Sequence, residues 1–173
     1  MVIVGVDPGS LRTGFGAIAS DGRRHRLLES GALAPSPALA LWERLRLIHA
    51  GLAEVLRRHR PDVLAVEDLF YAKSPRSAIV LGHVRGVVLL AGAEAGLQVL
   101  SYPPATVKAQ ISGFGRAQKQ QVALMVGHLL GLAAGIPSGD PADALAVALC
   151  AALLHAPGAR PMDAATGAAG DRP

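Results

Sequence analysis

"VIVGVDPGSLRTGFGAIAS" (residues 2–20) consists of two apolar runs joined by a carboxylate and a Pro-Gly turn. The first run has the density of β-branched residues expected of a strand buried on both faces, and it ends on Asp7. "TGFGAIAS" (13–20) follows so closely that it reads as a second strand on a tight connection. "SDGRR" supplies an Asp-Gly hairpin turn, and "HRLLESGAL" (25–33) reads as the third strand. A three-stranded meander therefore opens the chain. A carboxylate at the tip of its core strand is costly unless something there partners it.

Beyond the meander the period changes. From about Ser36 to Arg60, Leu41, Leu45, Ile48, Leu52, Val55 and Leu56 recur at helical spacing, and Pro61 stops the run. "DVLAVED" (62–68) is a short apolar strand that also stops on carboxylates. A long apolar helix over 75–96, a strand "QVLSY" (98–102) and helices near 104–111, 117–131 and 141–155 follow. A meander followed by alternating strands and helices predicts one α/β domain with a mixed sheet over residues 1–155. From Ala156 the chain turns rich in Pro, Gly and Ala with no apolar period, so 156–173 is expected to be a disordered tail.

With 51% apolar and 17% charged residues in 173, the chain can bury a proper core, which excludes a disordered protein. The net charge of +4 permits an anionic partner without demanding one. Cys150 has no partner in the chain and reads as a buried hydrophobe in a reducing compartment. No basic n-region precedes the first apolar run, which argues against a signal peptide. His83, Arg85 and Glu94 interrupt the apolar stretch 77–97, so a buried helix is preferred to a membrane span. The expectation is a cytoplasmic protein with no membrane contact.

Taken singly, the carboxylates have plain explanations. Asp7-Pro8-Gly9 is a good turn triplet. Glu67 at a strand end is tolerated cheaply, although ligands gather beyond the C-terminal ends of strands in open α/β sheets. In "SGDPADALAVAL", Asp140 is a fine N-cap, Pro141 suits the first helical position, and Asp143 resembles the far member of a capping box. Together they mean more. A sheet pairing strands one and four sets Asp7 beside Glu67, and a helix on that edge adds Asp140 and Asp143. Four crowded carboxylates repel unless cations neutralise them. An all-oxygen donor set selects a hard ion, Mg²⁺ or Mn²⁺, and such sites suit phosphodiester hydrolysis with two metals ~4 Å apart.

"GVDPGSLRTGFG", "VEDLFYAKSPRSAIVLGHVRGV", "TVKAQISGFGRAQKQQV" and "DPADALAVAL", in this order, closely resemble the RuvC family of Holliday-junction resolvases. The resemblance covers Met1 to about Ala156. It implies a ribonuclease-H-like fold with a mixed five-stranded sheet flanked by helices. It further implies a two-fold homodimer that nicks two strands of a four-way DNA junction symmetrically, leaving 5′-phosphate and 3′-hydroxyl ends. By motif match Asp7, Glu67, Asp140 and Asp143 are the catalytic and metal-binding set, with two Mg²⁺ ions expected and Mn²⁺ able to replace them. RuvA and RuvB, the branch-migration complex, are the partners implied.

The DNA contacts follow from the same match. Lys119 is expected to stabilise transition-state charge and Lys108 to bind phosphate; without the resemblance both read as solvated surface lysines. Arg116 flanks the same glycine-bearing loop. Phe70 matches an aromatic that wedges at the junction centre and stacks on bases, with Tyr71 beside it. Lys73, Arg76 and Arg12 read as phosphate contacts. The long helix, striped by Ala78, Gly82 and Gly86, is expected to pack on the sheet with one face and on its two-fold mate with another. Three alternatives compete: a related nuclease acting on ribosomal RNA precursors, an actin-like sugar or acetate kinase, and a non-catalytic junction binder. The kinases need two domains around a cleft, which this length does not provide, and the binder makes no use of four acids beside a phosphate.

Overall fold

The computed structural model describes residues 1–68, 74–132 and 139–155. The expected tail lies outside these residues, as do Phe70, Tyr71 and Lys73. Five strands, β1 (Val2–Asp7), β2 (Thr13–Ser20), β3 (His25–Leu33), β4 (Val63–Glu67) and β5 (Gln98–Tyr102), form one sheet in the order β3-β2-β1-β4-β5. The meander pairs antiparallel, whereas β1–β4 and β4–β5 are parallel. Strands one and four are therefore neighbours, as the carboxylate reading required, and both point their C-terminal ends the same way.

Strand alternation sends Ile3 to one face of the sheet and Val4 and Val6 to the other. On the second face lie α1 (Leu41–His59) and α2 (Pro75–Glu94), which contribute Leu52, Val55, Leu56, Val88 and Ala91. On the first lies α5 (Asp140–Leu154), with α3 (Pro104–Ser112) and α4 (Lys119–Leu129) packed beside it. Every residue of α5 from Ala144 to Ala152 is buried, as "ALAVALCAALL" demands. Cys150 is among them, and burial pushes its thiol up to about 12, so it serves as a small core residue.

Small residues let α5 lie close on the sheet. A Cβ on Gly5 would collide with the Ala144 carbonyl and reach 2.5 Å from the Ala148 amide nitrogen. One on Gly16 would lie 2.6 Å from Leu145. These glycines bring the start of α5 to the C-terminal ends of β1 and β4.

Three details differ from expectation. α1 begins at Leu41 and not near Ser36, because Ser36 closes a turn that accepts the Leu39 amide, and Glu43 then reaches back to the Ala40 amide at 3.0 Å. α5 is capped by Gly139, so Asp140 is the first helical residue and Pro141 the second. Gly139 has φ 149°, a backbone open to glycine, and Asp140's side chain is spent elsewhere. α2 fully buries only Val84, Val88, Ala91 and Gly92, packs Leu89 partly against the same core, and leaves Ile79 and Leu90 exposed.

Candidate active site

Val6 pairs with Val66 in the parallel register, so Asp7 and Glu67 stand side by side one step further along, at the sheet's C-terminal edge. Their carboxyls share a hydrogen bond. Burial and the Asp7 charge push Glu67 up to about 8, so the pair holds a proton in neutral solution. Burial raises Asp7 too, opposed by the Glu67 hydrogen bond.

Asp143 joins from the first turn of α5. Lys119, the first residue of α4, donates from Nζ to Asp143 Oδ2 at 2.7 Å. That bond raises the ammonium's pKa and keeps it charged. Asp7, Glu67, Asp143, Lys108 and Lys119 line one cleft of about 230 Å³, whose apolar wall includes Val107 and Val122. Lys108 is half-buried in α3.

Asp140 stands apart. It does not line the cleft; its Oδ2 accepts from Arg12 Nε at 2.7 Å, at the β1–β2 connection. Its charge is still felt at Asp7. Among the described residues no three acidic or imidazole side chains are close enough to grip one ion as they stand. Lys119 is bonded to Asp143 and Arg12 to Asp140. The donor set nonetheless fits a hard cation. Two carboxyls buried together and sharing a proton are a site short of positive charge, and every donor is oxygen.

Arg76 and Arg116 are exposed and lie outside the cleft lining. Sequence reasoning missed Arg85. From α2 it reaches Asp68 Oδ1 at 2.7 Å and Ser101 Oγ at 2.8 Å, anchoring the residue next to Glu67. The signal was present: an arginine inside an apolar helix calls for an acidic partner.

The family described as "Crossover junction endodeoxyribonuclease RuvC" matches residues 3–151. A crossover junction endodeoxyribonuclease RuvC of Desulforamulus reducens is 43% identical over 132 residues, 76% of this chain and 81% of that one. One of Bordetella avium is 49% identical, over 76% and 73%. Thermus thermophilus RuvC, solved in complex with a Holliday junction substrate, superposes with a TM-score of 0.85 at 41% identity, covering 90% of this chain and 95% of that one. The yeast mitochondrial Holliday junction resolvase, 14% identical with a TM-score of 0.62, shares the fold. Nothing in these matches supports the ribosomal RNA alternative. The chain belongs to the RuvC family of crossover junction endodeoxyribonucleases, enzymes that hydrolyse DNA phosphodiester bonds.

Proposed function

We propose that this chain, as a two-fold homodimer, resolves four-way DNA junctions by paired symmetric nicks that leave 5′-phosphate and 3′-hydroxyl ends. The observation that carries the reading is the buried Asp7–Glu67 pair, sharing a cleft with Asp143, Lys108 and Lys119. The family is one of metal-dependent nucleases. Asp7, Glu67, Asp140 and Asp143 would hold two Mg²⁺ ions here, with Mn²⁺ able to substitute. Bound there, the metals supply an activated water and neutralise charge on the leaving oxygen.

The chain's own groups do the rest. Glu67 and Asp7 must give up their shared proton before both can act as ligands. Lys119, kept charged by Asp143, faces the negative charge that develops on the phosphoryl oxygens, and Lys108 binds a phosphate oxygen. The apolar wall limits water to what the cleft admits. Phe70 takes the wedge role that the RuvC resemblance implies, with its sequence neighbour Tyr71 as a further DNA contact and Lys73, Arg76 and Arg116 as phosphate contacts. RuvA and RuvB would deliver the junction, and the cytoplasm, where bacterial DNA lies, is the site of action.

The test is cleavage of a synthetic four-way junction with and without Mg²⁺, comparing wild type with Asp7→Asn. Loss of cutting with retained junction binding is expected. A variant that still cuts removes the carboxylate assignment, and better cutting of single-stranded RNA removes the substrate.

A further inference from the structure

The position of Asp140 is the unexplained feature of the site. Four carboxylates converge by sequence, yet only three line the cleft, and the fourth is turned to Arg12. Both partners of that ion pair lie on closely packed backbone. Arg12 closes a connection in which Thr13 Oγ1 donates to the Gly9 carbonyl at 3.2 Å and a Cβ on Gly9 would strike the Arg12 carbonyl. Gly14 lies so close to Asp140 that a Cβ there would meet the Asp140 carbonyl. The guanidinium is thus delivered to the carboxylate by the same turn that ends β1 at Asp7.

The pair is also easy to break. Arg12's side chain is 59% exposed and Asp140's 36%, so solvent screens the attraction and a stronger partner can take either group. Only Nε of Arg12 meets one Asp140 oxygen here, whereas a guanidinium can bind both non-bridging oxygens of a DNA phosphate with two parallel hydrogen bonds.

Resting on the reading of this cleft as the metal site, we propose that Arg12 is a latch on Asp140. In the free chain it holds the fourth carboxylate outside the cleft. A backbone phosphate of the arriving junction captures the guanidinium and releases Asp140 to its fellow ligands. Arg12 is a positioning residue: it acts on the metal through Asp140. Metal and DNA then favour one another's binding, because each takes one half of the same ion pair.

The test needs no turnover. Mn²⁺ binding to DNA-free protein is followed by the loss of the free-ion EPR signal, for wild type, Arg12→Gln, Asp140→Asn and the double variant, all checked for native circular dichroism. Arg12→Gln is expected to tighten Mn²⁺ binding by about two- to fivefold, the range an exposed ion pair allows. The same change made in the Asp140→Asn background should do clearly less. An equal gain in both backgrounds would mean that Arg12 acts only as a nearby charge, and no gain would mean it holds nothing; either result overturns the latch. With junction DNA in chelator, Asp140→Asn should tighten binding more when Arg12 is present than when it is Gln. Equal effects there overturn release by phosphate. Asp7→Asn is the control for the underlying reading: Mn²⁺ binding unchanged by that variant would remove the metal site itself, whatever Arg12 does.

Discussion

Glu67 is where burial and charge conflict most. An isolated glutamate in unfolded chain titrates near 4.5, whereas in the fold it is pushed up to about 8. The folded state therefore holds more protons than the unfolded state between those values, and its stability falls as pH rises across that window. Without metal, the melting temperature should drop from pH 5.5 to pH 8. Glu67→Gln should flatten that slope and melt above wild type at pH 8 in chelator, while millimolar Mg²⁺ should raise wild type and leave the variant unmoved. An equally steep slope in the variant would mean that the proton sits elsewhere. Lys119 makes a second case at this scale. Its side chain is 72% exposed and its ammonium is held by one contact to Asp143, so removing it costs the fold little. Lys119→Met should lower kcat by about a hundredfold or more, with junction affinity in chelator within a few-fold of wild type. A loss confined to KM would make it a binding residue and not one that meets the transition state.

At the scale of elements, α5 and the sheet are locked by backbone contact. Gly5→Ala puts a methyl against the Ala144 carbonyl and the Ala148 amide, neither of which can rotate away as a side chain can. The expected cost is about 1–3 kcal/mol or more, read from denaturant midpoints, and cleavage should fall further because α5 carries Asp140 and Asp143. A neutral Gly5→Ala would mean that the helix sits further from β1. These elements were legible because their periods are strong: "VIVGVD", "DVLAVED" and the Leu41–Leu56 stripe can each be buried in only one way. What escaped depends on partners far off in sequence. Asp140 looked like a cap, since Asp before Pro is a good helix start, but Arg12, 128 residues away, takes its carboxylate, and Gly139 does the capping. Arg85 looked like an interruption of an apolar run, and only the placing of β4 beside β5 reveals Asp68 and Ser101 within its reach. Asp7 and Glu67 were found because each closes a strongly apolar strand, but their meeting rests on the long-range β1–β4 pairing, which the strand pattern gives only as a condition and the RuvC resemblance supplied.

At the scale of the whole molecule, α2 remains incomplete. Its length and apolar composition would let it cross a membrane, yet Val84, Val88, Ala91 and Gly92 are buried within the chain's own fold, and Arg85 is tied to Asp68. The opposite side leaves Ile79 62% and Leu90 51% exposed, with Gly82 and Gly86 between them facing open space. Small residues between large ones form a groove that a second helix can enter closely, and a two-fold pair of such faces is self-complementary. Because a Cβ at either glycine meets nothing within 4 Å, substitution there should not disturb the monomer, and relieving a mid-helix glycine favours the helix by up to about 1 kcal/mol. Gly82→Glu with Gly86→Glu is therefore a clean probe: circular dichroism should show the native fold, while sedimentation should show a monomer for the variant and the proposed dimer for wild type. Two active sites must stand on one junction for the nicks to be paired. The variant should accordingly release singly nicked junctions, whereas wild type yields two nicked duplexes. A charged α2 face that still sediments as a dimer would put the two-fold axis elsewhere, and paired nicking by a proven monomer would separate resolution from dimerisation altogether.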